Sequence, residues 1–213
     1  MIENKKSKTE IWREYLREGN NLTVSALIIL FLIITLIIYA NFLNFIEARP
    51  GAVIDDPVLA LFDPVDLTVP TFLALYPSII LGALFLLNAP RSLFHALLAY
   101  TFLVILRGIS MYLLPLDPPP EMIELQDPVV EIFGTGQLLT RDLFFSGHTS
   151  LMFLLYLVSR RIWLKRLFFA GTLFTAIAVT AQHVHYSVDV FIAPFMAYCA
   201  YAAAKRIFTP DRD

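Results

Sequence analysis

Long apolar runs separated by short polar or charged breaks dominate this chain. A membrane-spanning helix needs about 20 mostly apolar residues, because each residue rises ~1.5 Å through a hydrocarbon core ~30 Å thick. Six runs reach or approach this length, the fourth being the shortest: Leu22–Phe45, Pro70–Leu87, Leu93–Leu114, Phe144–Val158, Ile162–Thr180 and Tyr186–Ala204. The pattern predicts an all-α, polytopic membrane protein with six transmembrane helices.

The composition agrees with a membrane protein. Of the 213 residues, 58% are hydrophobic and 16% are charged, and the mean hydropathy is +0.68. Soluble domains are nearer 45–50% apolar and about 25% charged. We therefore predict one membrane domain over residues 1–213, with a polar N-terminal segment (1–21) and a helical bundle (22–207). The net charge is −2, and the sequence contains no basic patch that would bind nucleic acid. The single cysteine excludes an internal disulfide.

Lysine and arginine collect on one side of the predicted bundle. Thirteen of the 16 fall in the N-terminal segment, in two of the connections and in the C-terminal tail: Lys5, Lys6, Lys8, Arg13, Arg17, Arg91, Arg160, Arg161, Lys165, Arg166, Lys205, Arg206 and Arg212. Short cytoplasmic loops carry such an excess of cations. We therefore expect both termini to be cytoplasmic, and loops 47–66 and 115–141 to face the periplasm, a lumen or the extracellular space.

Two polar clusters lie at membrane depth. Arg141–Ser150 opens the fourth predicted helix, and His183–Asp189 opens the sixth. Ionisable groups are costly at this depth, so each is a functional candidate. Since both clusters fall at the non-cytoplasmic face by the charge argument, we expect them to form one site.

The residue types in these clusters suit phosphoryl transfer without a metal. His185 and Asp189 are four residues apart and would share one helical face. The carboxylate can fix the tautomer of the imidazole and leave its other nitrogen free as a nucleophile or base. His148 lies just inside a helix start, which Ser146 and Gly147 can cap and where backbone N–H groups attract phosphate.

Other readings of the histidines stay open. His95 stands alone on the predicted cytoplasmic side, where a helix-packing role is favoured. His183 fits a site residue and an interfacial polar group equally well, and Ser146 could act only as a cap. A metal site built from the three clustered histidines and Asp189 is less favoured, because His183 and His185 would point apart on a helix.

Arg107 lies about two turns from the end of the third predicted helix, or ~10 Å. A permanently charged guanidinium at this depth needs an anion, and its fork matches two phosphate oxygens. We favour phosphate as that anion. The alternative is a salt bridge to Asp189 or Asp142.

At these residues the chain resembles a known family. Ser146-Gly147-His148-Thr149 and His185-Tyr186-Ser187-Val188-Asp189-Val190 resemble the two signature motifs of the sphingomyelin synthase branch of the type 2 phosphatidic acid phosphatase (lipid phosphate phosphatase) superfamily. The segment Arg107–Tyr112, with the following Leu114-Pro115, is similar to a weaker motif of that branch. The resemblance implies a catalytic triad of His148, His185 and Asp189 on the non-cytoplasmic face.

Several positions depart from these patterns. Ala178 and Val179 stand where the wider superfamily has a serine–arginine pair, and no matching lysine precedes the first motif. Both absences favour the synthase branch over a generic phosphatase. Within that branch, however, His183 replaces an expected arginine, and Thr140-Arg141 replaces a cysteine–glycine pair.

The leading prediction is a headgroup phosphotransferase that acts on membrane lipids and uses no cofactor. His185, oriented by Asp189, would attack the phosphorus of a glycerophospholipid, and His148 would serve as acid and then as base. By resemblance the acceptor is ceramide or a similar lipid alcohol. The predicted phosphate-binding residues are Arg107, Arg141, Ser146, Gly147 and His183.

Two alternatives remain. The same residues could use water as the acceptor, which would make the protein a lipid phosphatase or phosphodiesterase. A non-catalytic lipid-binding scaffold or small transporter is less favoured, because a transport path places polar groups near the membrane midplane.

Overall fold

The computed structural model describes residues 7–125 and 139–210. Within them the chain forms seven α-helices and a short 3₁₀ helix at Leu59–Leu61. The α-helices are α1 (Lys8–Arg17), α2 (Asn21–Ala48), α3 (Thr68–Leu86), α4 (Pro90–Leu113), α5 (Gly147–Val158), α6 (Ile162–Ala181) and α7 (Ser187–Ile207). The protein is all-α over these residues, as predicted.

Five helices, α2, α3, α4, α6 and α7, are long and apolar enough to cross a membrane. They make the protein a multi-pass integral membrane protein. The fourth predicted span corresponds to α5, a 12-residue apolar helix. At 1.5 Å per residue it is about 18 Å long, which is shorter than the ~30 Å hydrocarbon core. Six spans and cytoplasmic termini therefore stay predictions.

The polar N-terminal segment contains a helix, α1, that the pattern of long apolar runs did not predict. Ser7 and Glu10 form a capping box at the start of α1. The rings of Trp12 and Tyr15 pack against Phe94 of α4, and the indole N–H of Trp12 donates to the carbonyl of Leu87 at 2.8 Å. The helix is amphipathic and short, so it produces no long apolar run.

The core of the bundle lies between α4, α5 and α7. One face of α7 consists of fully buried alanines: Ala193, Ala197, Ala200 and Ala204. Small residues at this spacing let two helices approach closely, and Leu98, Ala99 and Leu103 of α4 belong to the same cluster. The tight packing places the starts of α5 and α7 side by side near the end of α4.

We call this end of the bundle the site end, and the end where α4 and α6 begin the basic end. At the site end, Ala52 of the first long connection and Leu116 of the second form an isolated parallel β-bridge. A Cβ on Gly51 would overlap the backbone of Leu116, so glycine allows this close approach. Residues 126–138 of the second connection lie outside the described residues.

Candidate active site

The two polar clusters meet where α5 and α7 begin. Ser146 is the N-cap of α5, and its hydroxyl accepts from the backbone N–H of Thr149 at 3.4 Å. The backbone N–H of Ser146 donates to the carbonyl of Asp189 at 3.2 Å. His148, the second residue of α5, is half-buried beside this junction. The fold therefore brings the first motif to the second, as the sequence predicted.

Asp189 and His185 are paired by the cap of α7. The helix begins at Ser187, so His185 precedes its N-cap, Tyr186. Oδ2 of Asp189 accepts the backbone N–H of Tyr186 at 3.3 Å and lies 3.5 Å from Nδ1 of His185. The prediction of a shared helical face is wrong, because the capping turn rather than the helix sets the distance. Both side chains are nearly inaccessible, at 3% and 0% exposure.

The electrostatics favour a neutral His185. Burial lowers the pKa of His185, against the opposing effect of the carboxylate of Asp189. The positive charge of Arg107 lowers this pKa further, and His148 acts in the same direction. A neutral imidazole held by a carboxylate is the form that can act as a nucleophile or base.

Arg107 is buried on α4 and held by protein groups. Its Nε donates to the hydroxyl of Tyr39 at 2.9 Å, and its Nη2 contacts the carbonyl of Asp142 at 2.8 Å and Oδ1 of Asp142 at 2.7 Å. Its Nη1 donates to the carbonyl of Phe145. The salt bridge is thus with Asp142, one of the two partners weighed against phosphate. Contact between Arg107 and a substrate phosphate stays a prediction.

Gly147 lets the guanidinium lie directly against the start of α5. A Cβ on Gly147 would stand 2.9 Å from Nη1 of Arg107 and 3.0 Å from its Cζ. The guanidinium thereby fixes the segment that carries His148. Phosphate binding by Ser146 and Gly147 is untested, and the Ser146 hydroxyl already serves as the helix cap.

Arg141 joins the second long connection to the end of α2. Its Nε lies 2.5 Å from Oδ1 of Asp117, and its Nη1 donates to the carbonyl of Glu47. The hydrogen bond from Arg141 lowers the pKa of Asp117 and raises that of Arg141. The carboxylate of Glu47 accepts the backbone N–H groups of Thr140 and Arg141 at 2.9 and 3.0 Å. A role of Arg141 in phosphate binding stays a prediction.

His183 follows Gln182, the C-cap of α6, and has a left-handed backbone conformation, with φ 56°. Its N–H bonds the carbonyl of Thr180, and the N–H of Val184 bonds that of Val179, which is a Schellman motif. The side chain is 3% exposed and packs edge-on against Phe62. Its Nε2 has no hydrogen-bond partner within the described ranges. Both readings of His183 stay open.

Several residues that hold the site were not predicted from the sequence. Besides Tyr39, Glu47 and Asp117, these include Asp56, which accepts the backbone N–H of Ser187 at 2.6 Å and its hydroxyl at 3.0 Å. Tyr39 carried a usable signal, since it is a polar group inside an apolar run. The loop acids carried none, because their partners are chosen only by the folded chain.

No three His, Cys, Asp or Glu residues within 7–125 and 139–210 are grouped so that they could hold a metal ion.

Residues 141–206 match the family model described as PAP2 superfamily C-terminal. The matched segment contains both histidine motifs, the whole of α5 and α6, and α7 except for its last residue. No curated protein matches the chain significantly. This part of the chain is thus similar to the PAP2 superfamily. It includes all three residues of the candidate triad.

Proposed function

We propose that the protein transfers the phospho-headgroup of a glycerophospholipid to ceramide or a similar lipid alcohol, without a metal, at the non-cytoplasmic face of the membrane. The observation that carries the proposal is the buried His185–Asp189 pair, joined through the backbone of Asp189 to the cap of the helix that bears His148. The resemblance of both motifs to the sphingomyelin synthase branch supports transfer over hydrolysis.

In the first step, Nε2 of His185 attacks the phosphorus. An N–P bond forms, and the P–O bond to diacylglycerol breaks. His148 gives a proton to the departing oxygen. Asp189 stabilises the positive charge that develops on the ring of His185, and we expect their 3.5 Å separation to shorten once substrate is bound, as catalytic hydrogen bonds often do.

In the second step, His148 removes the proton from the acceptor hydroxyl, whose oxygen attacks the phosphorus. The N–P bond breaks, and His185 returns to its neutral state. We expect Arg107, which lies against Gly147, and the N–H groups at the start of α5 to stabilise the phosphoryl charge. Arg141 and His183 are proposed to contribute from the neighbouring turns.

The test follows label from a donor lipid. Purified protein in bilayers receives a phospholipid labelled at its headgroup phosphate, with or without ceramide, and the donor is varied among choline, ethanolamine and glycerol headgroups. We expect label on ceramide, and none with His185→Ala. The matched control is Val188→Ala, because Val188 is next to Asp189 in sequence but is 40% exposed.

Two outcomes contradict transfer. Label released only as a water-soluble phosphate, whatever the acceptor, would make the protein a hydrolase with the same residues. Equal transfer by wild type and His185→Ala would remove His185 from the mechanism.

A further inference from the structure

A polar cavity lies at the basic end, away from the candidate active site. Its volume is about 380 Å³, and three cations line it: Arg160 before α6, Lys165 in the first turns of α6 and Lys205 near the end of α7. Among the described residues, no Asp or Glu lines it. A cavity that gathers cations without an acidic wall favours an anionic occupant.

His95 gives this cavity a buried polar group. The residue lies on α4, lines the cavity and is 1% exposed. Its ring packs edge-on against Tyr201 at 4.9 Å and forms a hydrogen bond with the backbone of that residue. Its Nε2 has no hydrogen-bond partner within the described residues. Buried polar atoms are rarely left unpaired, so this nitrogen points to a ligand. Because the bond to the backbone of Tyr201 uses the N–H of the ring, Nε2 is an acceptor and suits a ligand that carries an O–H group, such as a phosphate monoanion.

Helix ends of both polarities meet at the cavity. The N-cap of α4 is Ala89 and that of α6 is Arg161, and neither makes a side-chain capping hydrogen bond. Their uncapped N–H groups favour an anion, whereas the C-terminal ends of α5 and α7, which also line the cavity, oppose one. The attraction for an anion therefore comes from the cationic side chains and not from the helix dipoles.

We propose that this cavity binds an anionic phosphate group. The ammonium groups of Lys165 and Lys205 contact only the rings of Tyr156 and Tyr201 among the described residues, so both can turn to an anion. The cavity lies at the helix ends and is also lined by Leu157 and Val158, which suits the glycerol and upper acyl region of a lipid. The phosphate can thus belong to an anionic lipid headgroup or to a free anion. The site is independent of the proposed transfer reaction.

Binding is measured on the full chain carrying His185→Ala, so that no ligand is consumed at the other site. Native mass spectrometry follows the occupancy of short-chain phosphatidic acid, with phosphatidylcholine as the neutral comparison. A separate arm measures the change in Tm with inorganic phosphate alone. The test variant is Lys165→Gln/Lys205→Gln. The control is Arg166→Gln/Arg206→Gln, which removes the same charge from exposed positions at the same end outside the cavity.

The lysine pair is expected to weaken phosphatidic acid binding roughly 25-fold, because each cation near an anionic lipid is worth about fivefold in affinity. The arginine control is expected to change it little. His95→Phe keeps a ring and removes Nε2, and it should weaken binding roughly tenfold or more, the usual worth of a hydrogen bond to a charged group. Should His95→Phe fail to fold, the lysine and arginine pairs still decide the question.

Protection by inorganic phosphate that the lysine pair abolishes would assign a free anion as the ligand, whereas binding of phosphatidic acid alone would assign a lipid headgroup. Equal loss in the lysine and arginine pairs would mean only general attraction to the basic end and would overturn the proposal. Binding unaffected by either pair would overturn it too.

Discussion

Two histidines at opposite ends of the bundle are almost equally buried. His185 is 2% exposed and His95 is 1% exposed. His185 has a carboxylate 3.5 Å from Nδ1, whereas His95 faces an aromatic ring in a cavity lined by cations. Burial alone therefore does not make a histidine a nucleophile or a base. A carboxylate partner supplies a fixed tautomer and a counter-charge, and only His185 has one.

The charged residues around the two histidines also differ. At the site end, buried and half-buried charges are paired, as Arg107 is with Asp142 and Arg141 with Asp117. In the basic-end cavity, cations line the wall without an acid among the described residues. Paired charges hold geometry, which catalysis needs, whereas a wall of cations attracts an anionic ligand.

Asp189→Asn is the strongest test of this difference, because it makes the His185 region resemble that of His95. The amide oxygen can still accept from Tyr186, so the fold should remain, but the carboxylate is lost. We expect kcat to fall about 10⁴-fold, as when the acid of a catalytic triad is amidated. Single-turnover transfer and Tm are measured together. A small loss of kcat with a large fall in Tm would mean that Asp189 is only a helix cap.

Gly147→Ala tests whether close packing at the site end positions His148. The new Cβ would stand 2.9 Å from Nη1 of Arg107, and the collision should shift the start of α5. We expect about 100-fold lower kcat, the usual cost of a small misplacement, and a loss of about 1–3 kcal/mol in stability. Gly108→Ala is the control, because a Cβ there meets Tyr39 at 3.7 Å, an ordinary contact. Unchanged kcat in Gly147→Ala would separate Arg107 from the geometry of the site.

Asp56→Ala removes the loop carboxylate that caps α7, and Asp55→Ala, at an exposed position, is its control. Loss of a cap costs about 1 kcal/mol of stability. Because Asp56 binds Ser187 and so acts on His185 and Asp189 only through the capping turn, kcat should fall only severalfold. Desolvation acts to raise the pKa of Asp56, but hydrogen bonds from Ser187, Val58 and Leu59 outweigh it and lower this pKa below 3.8.

The lowered pKa of Asp56 determines how its contribution to stability changes with pH. A carboxyl with a lowered pKa stabilises the folded state above the unfolded value and loses this contribution as the pH falls through the folded value. The stability difference between wild type and Asp56→Ala should therefore be constant above pH ~5 and shrink below 3.8. Denaturant unfolding at a series of pH values measures it. A difference that grows towards low pH would contradict the capping role.

The smallest effect is expected from His95→Phe. His95 touches none of the residues of the candidate triad in the described contacts, so kcat should stay within about twofold of wild type, since only interactions made in the transition state change it. The same transfer assay measures it at saturating donor. A loss as large as that of Asp189→Asn would end the distinction between the two histidines.

The pattern of apolar runs predicted most of the fold. Five of the six predicted spans are long apolar helices, with bounds within a few residues, because a bilayer requires length and apolarity that are visible in sequence. The helix α1 was missed, since a short amphipathic helix depends on the surface it packs against. The shortness of α5 reflects where Ser146 caps it, although the apolar run itself starts earlier.

The candidate site could be predicted in its residues and only partly in its geometry. His148, His185 and Asp189 stood out because ionisable residues are rare at membrane depth. The capping turn that pairs His185 with Asp189 was not foreseen, nor was the hold of Glu47 and Asp117 on Arg141. These contacts join distant segments, and no local spacing encodes them.

Sequence by itself determined that this is a helical membrane protein with two histidine motifs suited to phosphoryl chemistry. Hydrophobic length and the cost of burying charge are local properties that any reader of the chain can weigh. Tertiary structure alone decided the partner of each of these buried polar groups: Asp142 for Arg107, Asp189 for His185 and none among the described residues for Nε2 of His95. The reason is physical, since electrostatic pairing depends on distances across a few ångströms that only the packing of helices sets.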